Sequence, residues 1–217
     1  MAKRKVSNPL ALAALCLLTE KPMHPYEISS TLRERAKEES IKLNYGSLYS
    51  VMDSLTRHGL VEVVETVREG KRPERTIYAI TEAGRVEVVD WESELLSVPV
   101  KEYTQFEAAL SLMPALSPDE VVRLLETRRV RLSTEVASLD AVMAEMAKEG
   151  MPELFAIEAD YLRELRKTEL AFVEKLIDRI NDNELGGLDI WRRAHEGGGM
   201  PAESDWTRAT TELRSVT

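Results

Sequence analysis

The 217-residue chain holds one cysteine, Cys16, three histidines and only 6% aromatic residues, and its longest apolar run is Pro9 to Leu18. A single thiol excludes a disulfide framework. Set in an apolar run with no acid-base partner nearby, Cys16 reads as a buried, inert side chain of a reducing compartment. The histidines His24, His58 and His195 are scattered, so none forms the i, i+4 pair of a helical metal site. The apolar run is about half of a membrane span, and no small-residue cleavage site follows it. A cytoplasmic location and no membrane are expected. Gly197-Gly198-Gly199 neither follows a strand nor precedes a lysine-bearing phosphate loop, and the carboxylates are spread over helix faces among Arg and Lys. The expectation is no catalytic residue, no metal and no cofactor.

What is present is charge and helical periodicity. The chain carries 38 acidic and 29 basic side chains, a net charge of -9, with 43% hydrophobic residues. That describes a globular, helix-leaning chain, and as a whole it argues against a generic nucleic-acid binder. Divided, it says something else. Residues 1–90 hold 14 basic and 13 acidic side chains, and residues 91–217 hold 15 and 25. The acidity belongs to the second half.

Ser7-Asn8-Pro9 supplies a cap and a first-turn proline, and Leu10 to Leu18 is apolar almost all round, as in a helix buried on several sides. After a turn at Lys21 to Pro25, a second helix is predicted from Pro25 to about Glu34, with Tyr26, Ile28 and Leu32 inward. Beyond the polar stretch Arg35 to Ser40, Leu48, Val51, Met52 and Leu55 recur at i, i+3, i+4 and i+7. Asn44 serves as N-cap and Gly59 as stop. The period then changes. Leu60 to Glu65 and Thr76 to Ile80 are short and β-branched, and Arg68 to Arg75 between them is a charged loop with glycine and proline. A β-hairpin with a basic tip is expected, followed by a helix capped by Thr81 that runs through Trp91 and Leu95 and ends before Pro99. Three helices, a hairpin and a helix are the order of a winged helix-turn-helix domain.

The second half is helical throughout. Glu102 to Met113 is a short segment, and Ser117-Pro118-Asp119-Glu120 is a capping box with proline at the first helical position. Leu125, Leu132, Val136, Leu139, Met143 and Met146 form a heptad-like seam. After Gly150 and Pro152, a second stripe reads Leu154, Ile157, Tyr161, Leu165, Phe172, Leu176 and Ile180. Two long helices joined by a tight turn make an antiparallel hairpin that cannot cover its own stripe. A homodimer follows, with Leu125, Leu132, Val136, Leu139, Met143, Leu165, Phe172 and Leu176 as contacts; folding back onto the first domain is the alternative. The fold class is mainly α, divided as 1–97 winged helix, 98–182 helical dimerisation and effector domain, and 183–217 flexible tail with one short helix near Leu188 to Ala194.

Helix-turn-helix modules read bases from the start of their recognition helix. Here that end offers Asn44, Tyr45, Gly46, Ser47 and Tyr49, with Lys42 and Arg57 placed for phosphates. The two tyrosines also suit partial burial, and Ser47 a capping role. Lys71, Arg72 and Arg75 beside Gly70 put three cations on a projecting loop, as a wing that touches phosphate or a minor groove requires. Glu69 and Glu74 dilute it, and taken alone a solvated loop is the plainer reading; coupled to the helix-turn-helix order and the cations at the start of the chain, phosphate contact is expected. Lys3-Arg4-Lys5 adds cations at the start of the chain.

Three strings carry a family likeness: Leu15-Cys16-Leu17-Leu18 to Met23-His24-Pro25-Tyr26-Glu27-Ile28; Tyr45-Gly46-Ser47-Leu48-Tyr49 to Leu55-Thr56-Arg57-His58-Gly59-Leu60-Val61; and Gly70-Lys71-Arg72-Pro73 to Tyr78-Ala79-Ile80-Thr81-Glu82-Ala83-Gly84. In order and spacing they resemble the PadR family of bacterial transcriptional regulators over about residues 8–90. Pro25 departs from the glycine that the family often carries before Tyr-Glu-Ile. The helical half resembles the C-terminal domain of the longer PadR-type regulators by architecture. The resemblance implies a homodimeric repressor that leaves a pseudo-palindromic operator on double-stranded DNA when a small aromatic or phenolic effector binds. Trp91, Tyr103 and Phe106, where the winged helix passes into the helical half, are candidates for effector contact; plain core is their other reading. The competing function is a winged-helix protein-interaction module with no sequence-specific DNA binding.

Overall fold

The computed structural model describes residues 6–42, 44–67 and 75–197. It divides into two compact units, Met1–Lys101 and Glu102–Thr217. Mainly helical, it carries a two-stranded antiparallel sheet after three helices.

In the first unit α1 spans Pro9–Glu20, capped by Asn8, whose side chain accepts from the Leu10 amide at 3.0 Å. Leu10 to Leu18 is buried except at half-buried Cys16, because the other elements of the unit pack around this helix. Helix α2, Pro25–Glu34, is capped by His24. Its inward residues are Pro25, Ile28, Ser29 and Leu32, at i, i+3, i+4 and i+7. Tyr26 was expected inward and is 63% exposed; one position past Pro25, it is turned about 100° off the buried line. Arg35 ties the ends of α1 and α2 together through two bonds to Glu20, at 2.6 and 2.8 Å.

Helix α3, Tyr45–Arg57, buries Leu48, Val51, Met52 and Leu55, as the periodicity predicts. Each such side chain contributes about 1.5–3 kcal/mol by leaving water. Gly59 ends the helix at φ +69°, a left-handed conformation that glycine adopts without strain. The hairpin follows as β1, Val61–Val67, and β2, Arg75–Ile80, with a bulge between Val63 and Glu65. The turn before α2 contributes an unforeseen third rung: Met23 and Tyr78 exchange both backbone hydrogen bonds, each at 3.0 Å. Helix α4, Glu82–Ser97, starts on Thr81, whose Oγ1 accepts from the Gly84 amide and donates to the Gly59 carbonyl.

The second unit contains α5, Gln105–Ser111, then α6, Pro118–Lys148, α7, Ile157–Asn181, and α8, Leu188–Glu196. Ser117 accepts from the Glu120 amide at 3.3 Å, the cap expected for α6. α6 and α7 run antiparallel, as the ladder Arg128–Glu169, Glu135–Arg166, Asp140–Arg163 requires. Their apolar core lies at one end: Val121, Leu125 and Leu132 of α6 against Val173, Leu176, Ile177 and Ile180 of α7.

The predicted stripe on α7 is therefore divided. Leu176 and Ile180 are buried, whereas Leu154, Ile157, Tyr161, Leu165 and Phe172 are between 47% and 70% exposed. The inward side of α7 at mid-hairpin is taken by Arg163, Arg166 and Glu169 in ion pairs, which turns the apolar row outward. Where a flexible tail was expected from residue 183, α8 folds onto the core. Leu188 and Trp191 are buried, Trp191 Nε1 donates to the Leu116 carbonyl at 2.7 Å, and His195 Nε2 lies 3.0 Å from the Pro114 carbonyl. Residues 198–217 lie outside the described residues.

Candidate nucleic-acid interface

The core residues of α3 decide which of its side chains face out. With Leu48, Val51, Met52 and Leu55 inward at about 100° per residue, the opposite row is Gly46, Ser50, Asp53 and Arg57, and all four are exposed. Ser47 and Ser54 lie on one flank and Tyr49, 52% exposed, on the other. Asn44 Oδ1 accepts from the Gly46 amide at 3.0 Å, so the cap satisfies an amide at the helix start and fixes the entry of the chain. Ser50 donates to the Gly46 carbonyl at 3.2 Å. Arg57 Nε donates to the Asp53 carbonyl at 3.3 Å and ends the row in a cation.

Beside this helix runs an open groove of about 570 Å³ between residues 6–8 and α3, lined by Ser7, Asn8, Asn44, Ser47, Ser50 and Ser54 with Val6, Gly46 and Val51. Hydroxyls and amides dominate it. On the other flank, burial raises the Tyr78 pKa, and the charges of Asp53 and Tyr49 add to it.

Of the residues expected to touch DNA, Asn44, Gly46, Tyr49 and Arg57 stand on or beside the exposed face of α3, and Ser47 is half-buried. Lys42 is exposed just ahead of the cap. Tyr45 opens α3 and Arg75 opens β2; their side chains, and Lys3, Lys5, Lys71 and Arg72 entirely, lie outside the described residues. Sequence reasoning passed over Ser50, Asp53 and Ser54. The wheel that placed the core would have found them, since they lie opposite it.

Trp91 is 4% exposed in the core of the first unit. In the second unit Tyr103 is 86% exposed, and Phe106 packs on the core, edge-to-face with Phe172 at 6.5 Å and under the Arg128 guanidinium at 3.8 Å. Among the residues expected at a dimer contact, Leu125, Leu132 and Leu176 are buried within the chain's own core. Val136, Leu139 and Met143 are half-buried, and Leu165 and Phe172 exposed. Among the described residues no group of three or more His, Cys, Asp or Glu could hold a metal, and no helix is long and apolar enough to cross a membrane.

Helices α1 to α3, the hairpin and α4 make the first unit a winged helix-turn-helix domain. Residues 14–90 match the transcriptional regulator PadR-like family. Members of that family are transcriptional regulators rather than enzymes. The fold extends further. Bacillus subtilis PadR in complex with operator DNA superposes with a TM-score of 0.63 at 20% identity, over 80% of this chain and 99% of that one. The same protein in complex with p-coumaric acid gives 0.63 at 18% identity, over 79% and 98%. The Vibrio cholerae virulence activator AphA gives 0.58 at 17%, over 80% and 98%. No curated protein matches the chain in sequence.

Proposed function

We propose that this protein is a homodimeric transcriptional repressor that places the exposed row of α3 in the major groove of a pseudo-palindromic operator and leaves it when a small aromatic or phenolic effector binds. The carrying observation is that row: uncharged at its start, capped by Asn44, and exposed within a PadR-like domain. Asn44, Tyr45, Gly46, Ser47 and Tyr49 face the bases, Lys42 and Arg57 the flanking phosphates, and Lys71, Arg72 and Arg75 of the wing the adjacent backbone, with Lys3 and Lys5 adding charge. Support for the ligands comes from Bacillus subtilis PadR, a similar fold crystallised with operator DNA and with p-coumaric acid.

Dimerisation is supported by the outward row Ile157, Tyr161, Leu165 and Phe172 on α7, all 47% to 66% exposed, which a second copy would cover. Val136, Leu139 and Met143 join that contact, while Leu125, Leu132 and Leu176 support it from within the protomer. The effector is assigned to Tyr103 and Phe106 of the second unit, with Trp91, in the core of the first, as the remaining candidate.

An electrophoretic shift on the DNA beside its own gene tests the reading. A salt-sensitive, sequence-selective shift is expected, weakened and less salt-dependent when Lys71, Arg72 and Arg75 are replaced by Ala. A protein-interaction module would give no such shift, and unchanged affinity and salt slope would sink the wing assignment. Tryptophan quenching by a panel of aromatic acids, with release of the DNA by the same compound, tests the effector.

A further inference from the structure

The middle of the outward row on α3 is a carboxylate. Asp53 is exposed, and among the described residues no hydrogen bond or ion pair engages its side chain. Its natural partner is at hand: Arg57 stands four residues on, the spacing at which Asp and Arg pair on a helix. Arg57 instead donates to the Asp53 backbone carbonyl, at 3.3 Å. One turn earlier, the Ser50 hydroxyl gives its proton to the Gly46 carbonyl at 3.2 Å, which leaves oxygen lone pairs as its outward chemistry. Gly46 adds no side chain. Between the cap and Arg57 the row therefore offers hydrogen-bond acceptors.

An acceptor row has few uses against DNA. Phosphates supply no donors and repel a carboxylate, so Asp53 gains only where a base amino group meets it. In the major groove those groups are the N4 amino of cytosine and the N6 amino of adenine. Adenine sets its N7 acceptor beside the amino group, so one carboxylate oxygen would face a lone pair. The cytosine edge carries a donor and no acceptor.

We propose that Asp53 is a specificity-determining residue that reads the N4 amino group of a cytosine in each operator half-site. The inference rests on the DNA-binding reading above and adds to it the base being read.

The test is selection of binding sites from a random duplex library by the full-length protein, its Asp53→Ala variant and its Asp53→Asn variant, with far-UV circular dichroism confirming that the exposed substitutions leave the fold intact. The wild-type half-site is expected to hold one fixed cytosine. In Asp53→Ala the preference for that cytosine should fall about tenfold or more while the other positions keep theirs. In Asp53→Asn it should move toward adenine, which an amide pairs through N6 and N7. Two results overturn the inference alone: base preferences identical in all three proteins, or an Asp53→Ala variant that binds every sequence more tightly by the same factor. A wild-type protein that selects no sequence overturns the DNA-binding reading and this inference together.

Discussion

Among the described glycines of the first unit, Gly84 is the one where an added methyl group meets the closest neighbours. A Cβ there would lie 2.1 Å from the Leu60 carbonyl oxygen and 2.7 Å from Ile80 Cγ1. Neither neighbour can retreat freely. The Leu60 carbonyl accepts from the Thr81 amide at 3.1 Å, and the Leu60 amide donates to Leu55 at 3.0 Å. Relief must separate α4 from the turn that ends α3 and stretch a bond worth about 1 kcal/mol. Overpacking adds about 1–3 kcal/mol, against which the helix propensity of alanine returns about 1 kcal/mol. Gly84→Ala should therefore lose about 1–3 kcal/mol, which in a domain of this size is about 5–25 °C in Tm. Gly46→Ala is the matched control. Its Cβ would meet only Asn44 Oδ1, at 3.6 Å, so stability should hold or rise while operator affinity falls, because the backbone can no longer approach the DNA. Urea and thermal unfolding followed by far-UV circular dichroism measure both. A Gly84→Ala protein within about 0.5 kcal/mol of wild type would refute the close packing of α4 on Leu60.

Trp191→Ala should destabilise the second unit by about 3–5 kcal/mol, since the ring is 5% exposed. Trp191→Phe, which keeps most of the volume and gives up the bond to Leu116, should lose about 1 kcal/mol for that bond; denaturant titration separates the two. Replacing Ile157 and Leu165 by Glu should convert a dimer to monomers in sedimentation equilibrium, and an unchanged mass would remove that face from the dimer contact. Burial, and then the charge of Glu92, raise the Cys16 pKa. The thiolate is scarcer than in the unfolded chain at any given pH, so alkylation, followed by mass spectrometry, should rise with pH later in the native protein than in urea.

Legibility in the sequence follows how local each cause is. The ends of α1, α2 and α3 are set by Asn8 and Pro9, by Pro25, and by Asn44 and Gly59, each acting within a turn of itself. These positions were readable. The stripe on α7 was not, because period alone does not say which of two faces is inward. The ion pairs Arg163–Asp140 and Arg166–Glu135 decide it, and their partners lie on another helix. The helix α8 was expected near Leu188 to Ala194, but its docking was missed for a similar reason: its anchor is the Leu116 carbonyl, 75 residues away in sequence. The Met23 rung is a backbone pairing and leaves no side-chain signature. At the candidate interface the first turn of α3 is legible because such helices meet bases there, whereas Ser50 and Asp53, further along, are marked only by lying opposite the core.

The net charge of -9 is a property of one unit. Glu102–Thr217 holds 14 basic and 23 acidic side chains, and Met1–Lys101 holds 15 of each. Several acids of the second unit serve the hairpin itself, as in Arg128–Glu169, Arg166–Glu135 and Lys167–Asp140. The first unit, neutral overall, exerts no bulk pull on phosphate, so its attraction to DNA depends on where single cations stand. On α3 the outward row ends in Arg57, with a bare carboxylate one turn before it. On the proposed reading such a surface would hold an arbitrary duplex poorly, because a misplaced Asp53 would meet an acceptor or a phosphate and be repelled. It would hold the right one through contacts that need a base donor at one place. Weak grip on random DNA and strict choice of site would then follow from the same charge arrangement, with repulsion supplying part of the specificity. Adding cations to this face would raise affinity for all sequences and blur the distinction among them.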